Sequence, residues 1–248
     1  MSGAGRPAAI DRLREIADRF DHLLIDQYGV LHDGRRVFPG VIECLERLRA
    51  AGKRTLVLSN SGRRAAANAA RLAALGLAPA LYDGIVTSGE ATWRGLRART
   101  PPPFDRLGRR CCAITRGGDR SILDGLDIAL VDGPDEADFL LLAGLDDAAA
   151  DPALWRKRLA GAAARGVPLI CANPDVAMFG ATGLLPGPGA VAAAYAEIGG
   201  PVHLIGKPEG LIYACCLAEL GLPDPGRVLA VGDSLDHDVL GGNRAGLL

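Results

Sequence analysis

The chain has 248 residues, of which 49% are hydrophobic and 23% are charged, and its formal net charge is −1. This composition is that of a globular protein with a sizeable core, and it argues against nucleic acid as the main partner, because binding to phosphate backbones needs a surplus of Lys and Arg. No apolar run is long enough to span a bilayer and none follows residues 1–7, so we expect neither a membrane partner nor a secretory signal.

The N-terminal part of the sequence alternates helical patterns with short, continuously apolar runs. Apolar runs of this kind are typical of strands that are buried on both faces of a parallel sheet. Their alternation with helices predicts an α/β fold with right-handed crossovers. The predicted elements are helices at residues 8–20, 40–49 and 64–75 and strands at residues 22–26 and 54–58.

The same alternation returns near the C-terminus, after a middle segment with strands and helices of its own. This arrangement predicts a core domain made of residues 1–87 and 181–248, with an inserted α/β cap domain at residues 88–180. The predicted C-terminal elements are helices at 189–198 and 211–220 and strands at 203–206 and 227–231. Those of the middle segment are strands at 128–131, 139–142 and 169–171 and a helix at 153–164.

Polar side chains follow four of the predicted core strands. Ligands of an open parallel sheet bind beyond the carboxyl ends of its strands, so we expect these side chains to share one edge of the sheet. They are Asp26, Ser59 with Asn60, Lys207, and Asp233 with Asp236 and Asp238.

The residue types at this edge suit phosphate chemistry. The Asp26 carboxylate can attack a phosphoryl group and hold it as an acyl phosphate. A phosphate dianion is repelled by a carboxylate, so we expect a hard divalent cation, Mg²⁺, bound by Asp26 and Asp233. Lys207 adds a positive charge opposite the metal, and the Ser59 hydroxyl can donate to a phosphoryl oxygen.

Four segments of the sequence resemble, in order, motifs I to IV of the haloacid-dehalogenase-like superfamily: residues 26–31 (Asp-Gln-Tyr-Gly-Val-Leu), 58–61 (Leu-Ser-Asn-Ser), 206–208 (Gly-Lys-Pro) and 232–238 (Gly-Asp-Ser-Leu-Asp-His-Asp). Residues 87–91, 173–175 and 186–190 are similar to further signatures of class IIA, which includes nitrophenylphosphatase-like and sugar-phosphate phosphatase-like members. The resemblance implies a Rossmann-like parallel-sheet core with a cap of the C2 type between motifs II and III.

The resemblance also implies roles for individual residues. Asp26 would be the nucleophile and a metal ligand, together with the backbone carbonyl of Tyr28 and with Asp233. Asp238 would be a further acid at the metal site, with Asp236 in support. The residues implied in substrate binding are Ser59, Asn60 and Lys207 around the phosphoryl group and Asn173 and Asp175 at the junction of cap and core.

Tyr28 departs from the family pattern, in which a second Asp stands two residues after the nucleophile. That Asp protonates the leaving alcohol and later activates water, and its loss costs about 10²–10⁴ in rate. A phenol with a pKa of about 10 replaces it poorly. We therefore predict a magnesium-dependent phosphatase for a small phosphorylated metabolite, working through an aspartyl phosphate and favouring aryl or acyl phosphates.

Two other functions stay open at this point. One is a catalytically weak protein that binds a phosphate ligand. The other is a 2-haloacid dehalogenase, whose first motif often has Tyr at this position and needs no metal. The Gly232-Asp233 metal motif and the position of the cap argue against the dehalogenase.

Two further expectations concern the setting of the protein. None of its six cysteines falls in a C-x-x-C spacing, so we expect no disulfide framework, no zinc site and a reduced, cytoplasmic location. The sequence ends soon after the helix that follows Asp233, where relatives continue into another strand. Either the protein lacks that strand or the sequence is truncated. If the strand is missing, we expect an open sheet edge, which is compatible with a homodimer.

Overall fold

The computed structural model describes residues 9–248, which form two parallel sheets and one short hairpin. The strands are β1 (His22–Asp26), β2 (Arg54–Ser59), β3 (Gly84–Thr87), β4 (Arg110–Ile114), β5 (Ala129–Leu130), β6 (Phe139–Leu142), β7 (Leu169–Cys171), β8 (Ala177–Gly180), β9 (Gly183–Pro186), β10 (Val202–Leu204) and β11 (Val228–Val231). The α-helices are α1 (Val41–Ala50), α2 (Ala65–Ala74), α3 (Ser88–Ala98), α4 (Pro152–Arg158), α5 (Ala160–Ala164), α6 (Pro188–Glu197), α7 (Gly210–Glu219) and α8 (Leu240–Arg244).

The core sheet is entirely parallel and has the order β11-β1-β2-β3. Alternate residues of a strand face opposite sides of its sheet. Leu23 and Ile25 accordingly join a cluster that includes α1 and α2, whereas Leu24 joins a second cluster with α7. Helices therefore cover both faces of the sheet, and the predicted α/β class is confirmed.

The second sheet is also parallel and has the order β10-β7-β6-β4-β5. One of its faces packs against α5 and α6, and the other packs against α3. The sequence places the strand at 203–206 in the core half, but β10 pairs with β7 in this sheet. The pairing of β10 with β7 indicates that the chain returns to the core sheet after β10. The boundary between cap and core at residue 180 stays a prediction.

Three local features differ from the sequence patterns. The hairpin of β8 and β9 was not predicted, because it is short and lies among glycines. The helix expected at 153–164 is divided at Leu159, which leaves α4 and α5. The helix expected at 8–20 is a 3₁₀ helix over Leu13–Arg19, and residue 8 lies outside the described residues.

The outer edge of β11 is partly covered by the end of the chain. Leu248 donates its backbone N–H to the carbonyl of Val228 and accepts a hydrogen bond from the N–H of Ala230, at 2.9 and 3.0 Å. The edge predicted to be open is therefore paired at these two residues. Among the helices of residues 9–248, none has the length and apolar character needed to cross a membrane.

Candidate active site

Asp26 ends β1, which is one of the two inner strands of the core sheet. Its neighbours Leu23 and Leu24 are fully buried, and the Asp26 side chain itself is only 12% exposed. Burial raises the pKa of Asp26 to about 6, although the nearby ammonium of Lys207 opposes the rise. The fold thus places a carboxylate at the carboxyl edge of the sheet in a setting with little water.

Lys207 joins two of the predicted acids. Its Nζ lies 2.7 Å from Asp26 Oδ1 and 2.7 Å from Asp238 Oδ1, and its side chain is 3% exposed. Burial lowers the pKa of Lys207, but the attraction of the two carboxylates outweighs burial and leaves the pKa above its ordinary value. The ammonium group is therefore charged and held between the two acids.

The route by which Lys207 reaches this place differs from the one that the sequence suggested. Lys207 does not follow a core strand, since β10 belongs to the second sheet. Asn60 holds it instead: its Oδ1 accepts the Lys207 backbone N–H at 2.7 Å. Gly206 makes the approach possible, because a Cβ there would collide with Ser88 Oγ and would lie 2.8 Å from Asn60 Oδ1.

Three carboxylates form a group that suits a cation. Asp26, Asp233 and Asp238 each offer an oxygen, and the three atoms lie within 4.8 Å of one another. Carboxylate oxygens are the donors that hard divalent cations prefer. Asp236, the fourth predicted acid of this region, is exposed and is not in the group.

Two glycines leave room for these acids. Gly29 has a φ of +89°, and a Cβ at this position would overlap the Asp233 carboxylate. A Cβ at Gly232 would likewise overlap the carboxylate of Asp238. The loop after β1 therefore approaches Asp233 through Gly29, and the segment after β11 folds back on itself through Gly232, at positions that accept only a hydrogen side chain.

Asn60, which follows β2, links the core to the cap. Asn60 donates from Nδ2 to Asp175 Oδ1 at 2.8 Å, and Asn173 Oδ1 accepts the backbone N–H of Asp175 at 3.1 Å. Asn173 thus shapes the turn that presents Asp175 to Asn60. Ser59 is buried at the end of β2, and its Oγ accepts the backbone N–H of Ser61 at 3.3 Å.

The side chain of Tyr28 is 42% exposed. Its ring packs against Phe179 of the hairpin, with centroids 5.4 Å apart, and meets the ring of His32 edge-on at 5.9 Å. Within residues 9–248 its hydroxyl forms no hydrogen bond. The phenol therefore contributes a surface beside the acids.

Sequence reasoning missed Phe179, His32 and Gln27. His32 Nδ1 accepts the backbone N–H of Gly34 at 2.9 Å, and His32 Nε2 lies 3.2 Å from Nε2 of the Gln27 side chain. These buried side chains brace the loop that carries Tyr28. The one available signal was the proximity of Gln27 and His32 to Asp26 in sequence, whereas Phe179 is joined to the site only by the fold.

Comparisons with known proteins identify the family of this chain. Residues 23–129 match a family model described as haloacid dehalogenase-like hydrolase, and residues 204–248 match a second, HAD-hydrolase-like model. Mouse chronophin is 33% identical over 251 residues, which covers 95% of this chain and 81% of chronophin.

Two solved structures extend the likeness to the fold. A haloacid dehalogenase-like hydrolase from Brucella suis 1330 has a TM-score of 0.86 and 33% identity, and the match covers 96% of this chain and 87% of that one. A glycerol phosphate phosphatase from Mycobacterium tuberculosis in complex with magnesium has a TM-score of 0.71 and 26% identity, over 94% and 68% of the two chains. This chain is a hydrolase of the haloacid dehalogenase-like family, class IIA.

Proposed function

We propose that this protein is a magnesium-dependent phosphatase that hydrolyses a small phosphorylated metabolite through an aspartyl phosphate on Asp26. The observation that carries the proposal is the position of Lys207 Nζ, 2.7 Å from both Asp26 and Asp238, beside the group of three carboxylates. A relative of known structure, the mycobacterial glycerol phosphate phosphatase, binds magnesium.

The donor set fits a divalent cation. Asp26, Asp233 and the backbone carbonyl of Tyr28 would hold it, with Asp238 as a further acid at the site, and Gly29 leaves the space that Asp233 needs. A bound Mg²⁺ supplies positive charge that offsets the repulsion between the Asp26 carboxylate and the phosphate dianion.

The side chains divide the reaction into two steps. An Asp26 oxygen forms a bond to phosphorus while the bond from phosphorus to the leaving group breaks, and the leaving group keeps the electron pair. Water then attacks the phosphorus of the acyl phosphate, so that phosphate departs and the carboxylate returns. Lys207 and the Ser59 hydroxyl bind the phosphoryl oxygens in both steps, and Asn60 keeps Lys207 in place.

Position 28 decides which leaving groups are suitable. Without a carboxylic acid there, the leaving oxygen lacks the proton donor of the family pattern, so substrates whose leaving group is stable as an anion are favoured. The exposed rings of Tyr28 and Phe179 add an apolar surface beside the acids. We infer that aryl phosphates suit this site better than alkyl phosphates.

A substrate panel tests this function. We expect magnesium-dependent release of phosphate from 4-nitrophenyl phosphate, slower release from glycerol phosphate and none in Asp26→Asn. Binding of phosphate without turnover would instead support the second candidate, a phosphate-binding protein, which the Tyr at position 28 favours. Halide release from 2-chloropropionate without metal would contradict the proposal.

A further inference from the structure

The second sheet has the strand order of a doubly wound fold. Numbered along the chain from β4, its strands lie in the order 5-4-3-1-2, because β5 lies on one side of β4 and β6 lies on the other. The connections that leave β4 and β6 therefore run in opposite directions, and the switch point lies between these two strands. In open α/β sheets a crevice forms at this switch point, beyond the carboxyl ends of the strands, and ligands bind there.

A cavity of about 650 Å³ occupies this place. Its walls come from the segments that follow β4, β5 and β6 and from α4, and they include Thr115, Asp132, Leu145 and Trp155. Small-molecule sites typically have volumes of about 300–1,000 Å³. None of the residues proposed for catalysis lines this cavity.

The cavity wall contains two arginines, Arg120 and Arg158, and three aspartates, Asp132, Asp135 and Asp146. Arg120 and Arg158 form no ion pair with any residue between 9 and 248, whereas the neighbouring Arg116 and Arg165 are paired with Asp147 and Asp135. The guanidinium of Arg158 lies 5.4 Å from the centre of the Trp155 ring. A guanidinium with no carboxylate partner is well suited to bind a phosphate through two parallel hydrogen bonds.

The loop after β4 allows a ligand to come close. It contains Gly117 and Gly118, with φ values of +64° and +67°, and Gly118 lines the cavity. Asp146 Oδ1 accepts the Gly117 N–H at 2.8 Å and thereby holds the loop beside the segment that follows β6. Glycines in this loop let its backbone approach a bound group closely.

Asp132 provides a second kind of recognition. It stands two residues after β5, the second strand of the doubly wound order, and lines the cavity. An acid at the end of the second strand is where nucleotide-binding folds bind ribose hydroxyls. Trp155 offers an apolar ring close by, and its indole N–H is already satisfied by the carbonyl of Ala149 at 2.7 Å.

We propose that this cavity binds a phosphorylated nucleoside. Arg120 and Arg158 would bind the phosphate, Asp132 would accept hydrogen bonds from the ribose hydroxyls, and the base would lie against Trp155. The proposal is independent of the phosphatase activity, because it concerns residues outside the acid group around Lys207.

Tryptophan fluorescence tests the proposal directly. The chain has two tryptophans, so Trp93→Phe leaves Trp155 as the only one. In a Trp93→Phe/Asp26→Asn protein without Mg²⁺, adenosine 5′-monophosphate should cause a saturable change in fluorescence. Ribose 5-phosphate should bind more weakly, and adenosine, which lacks the phosphate, should bind most weakly.

Substitutions locate the site. Arg120→Ala/Arg158→Ala should weaken binding of adenosine 5′-monophosphate by about 10-fold or more, because each charged hydrogen bond contributes substantially. Asp132→Asn should weaken the binding of adenosine 5′-monophosphate less than the double substitution does. In the Asp132→Asn variant the nucleotide with ribose should bind no more tightly than the same nucleotide with deoxyribose. Lys157→Ala, on the same helix but outside the cavity, should bind as before. Absence of saturable binding by all three probes, or binding unchanged by the double substitution, would overturn the proposal.

Discussion

The ring of Tyr28, two residues after the proposed nucleophile, lies against the ring of Phe179 in the hairpin of β8 and β9. The centroids are 5.4 Å apart and the planes are inclined by 35°. Phe179 is 63% exposed, so the pair forms a surface that a ligand can reach. Position 28, where the family pattern has a general acid, here carries an aromatic ring. That ring forms one apolar surface with Phe179 of the hairpin.

Removing Phe179 should weaken the binding of aryl substrates. We expect Phe179→Ala to raise KM for 4-nitrophenyl phosphate by about 2- to 10-fold with little change in kcat, since aromatic pairs contribute about 0.5–1.5 kcal/mol. Steady-state kinetics measure both constants. Leu184→Ala is the matched control, because Leu184 lies opposite Phe179 in the hairpin and is 66% exposed. Equal effects of the two substitutions would show that the ring has no specific role.

Restoring an acid at position 28 should help poor leaving groups. We expect Tyr28→Asp to raise kcat for glycerol phosphate by about 10-fold or more, because general acid catalysis contributes about 10²–10⁴ in rate. Tyr28→Phe should leave this rate unchanged if the phenol takes no part in proton transfer. An unchanged rate in Tyr28→Asp, or a large loss in Tyr28→Phe, would contradict this account of Tyr28.

Adding one methyl group to Gly29 should disturb the acid group. Gly29→Ala places a Cβ on the Asp233 carboxylate, so we expect at least about a 10-fold rise in the Mg²⁺ concentration needed for half-maximal activity. Gly40→Ala is a sharp control: its φ of +82° carries the same backbone penalty, but a Cβ there meets nothing within 4 Å. If both variants need the same Mg²⁺ concentration as the wild type, Gly29 does not serve Asp233.

Glu90 should stabilise the fold in a pH-dependent way. It accepts hydrogen bonds from Arg64 Nε at 2.7 Å and from the N–H of Ala65 at 3.2 Å. Burial alone would raise the pKa of Glu90, but these bonds outweigh burial and leave the pKa below its ordinary value. The stabilisation is therefore present above the ordinary pKa of a glutamate and is lost as pH falls through the lowered value.

Urea denaturation can measure this contribution. At pH 7 we expect Glu90→Gln to reduce the free energy of unfolding by about 1–3 kcal/mol, because buried partners lose their acceptor. As pH falls below the ordinary glutamate pKa, the difference between the wild type and the variant should shrink, and it should vanish below the lowered pKa of Glu90. Glu43→Gln, which breaks an exposed pair with Arg47, should change the free energy by less than about 0.5 kcal/mol at either pH. A pH-independent difference for Glu90→Gln would argue against the ionised carboxylate.

The sequence was sufficient for the residues at the ends of core strands. Asp26 and Asp233 meet because β1 and β11 are parallel neighbours, and buried apolar runs make such strands easy to locate. The same reasoning failed for β10, whose three residues have no local feature that distinguishes one parallel sheet from another. Lys207 reaches the site through the side chain of Asn60, a contact between residues 147 positions apart.

The surroundings of the acids were harder to anticipate. Phe179 lies in a short hairpin whose exposed side chains show no buried pattern, and its contact with Tyr28 depends on how that hairpin is held. Asp147 contributes to that position, since its Oδ2 accepts the N–H of Ala181 at 2.7 Å. Long-range contacts of this kind follow from tertiary packing, which periodicity in the sequence does not report.

Detection of the covalent intermediate tests the central claim most directly. Because position 28 lacks a carboxylate to activate water, breakdown of the aspartyl phosphate should be slow and the intermediate should accumulate during turnover of 4-nitrophenyl phosphate with Mg²⁺. Mass spectrometry of acid-quenched protein should find one phosphoryl group on the peptide that contains Asp26, removable by hydroxylamine and absent from Asp26→Asn. Turnover without this modification, or the same modification in Asp26→Asn, would contradict Asp26 as the nucleophile.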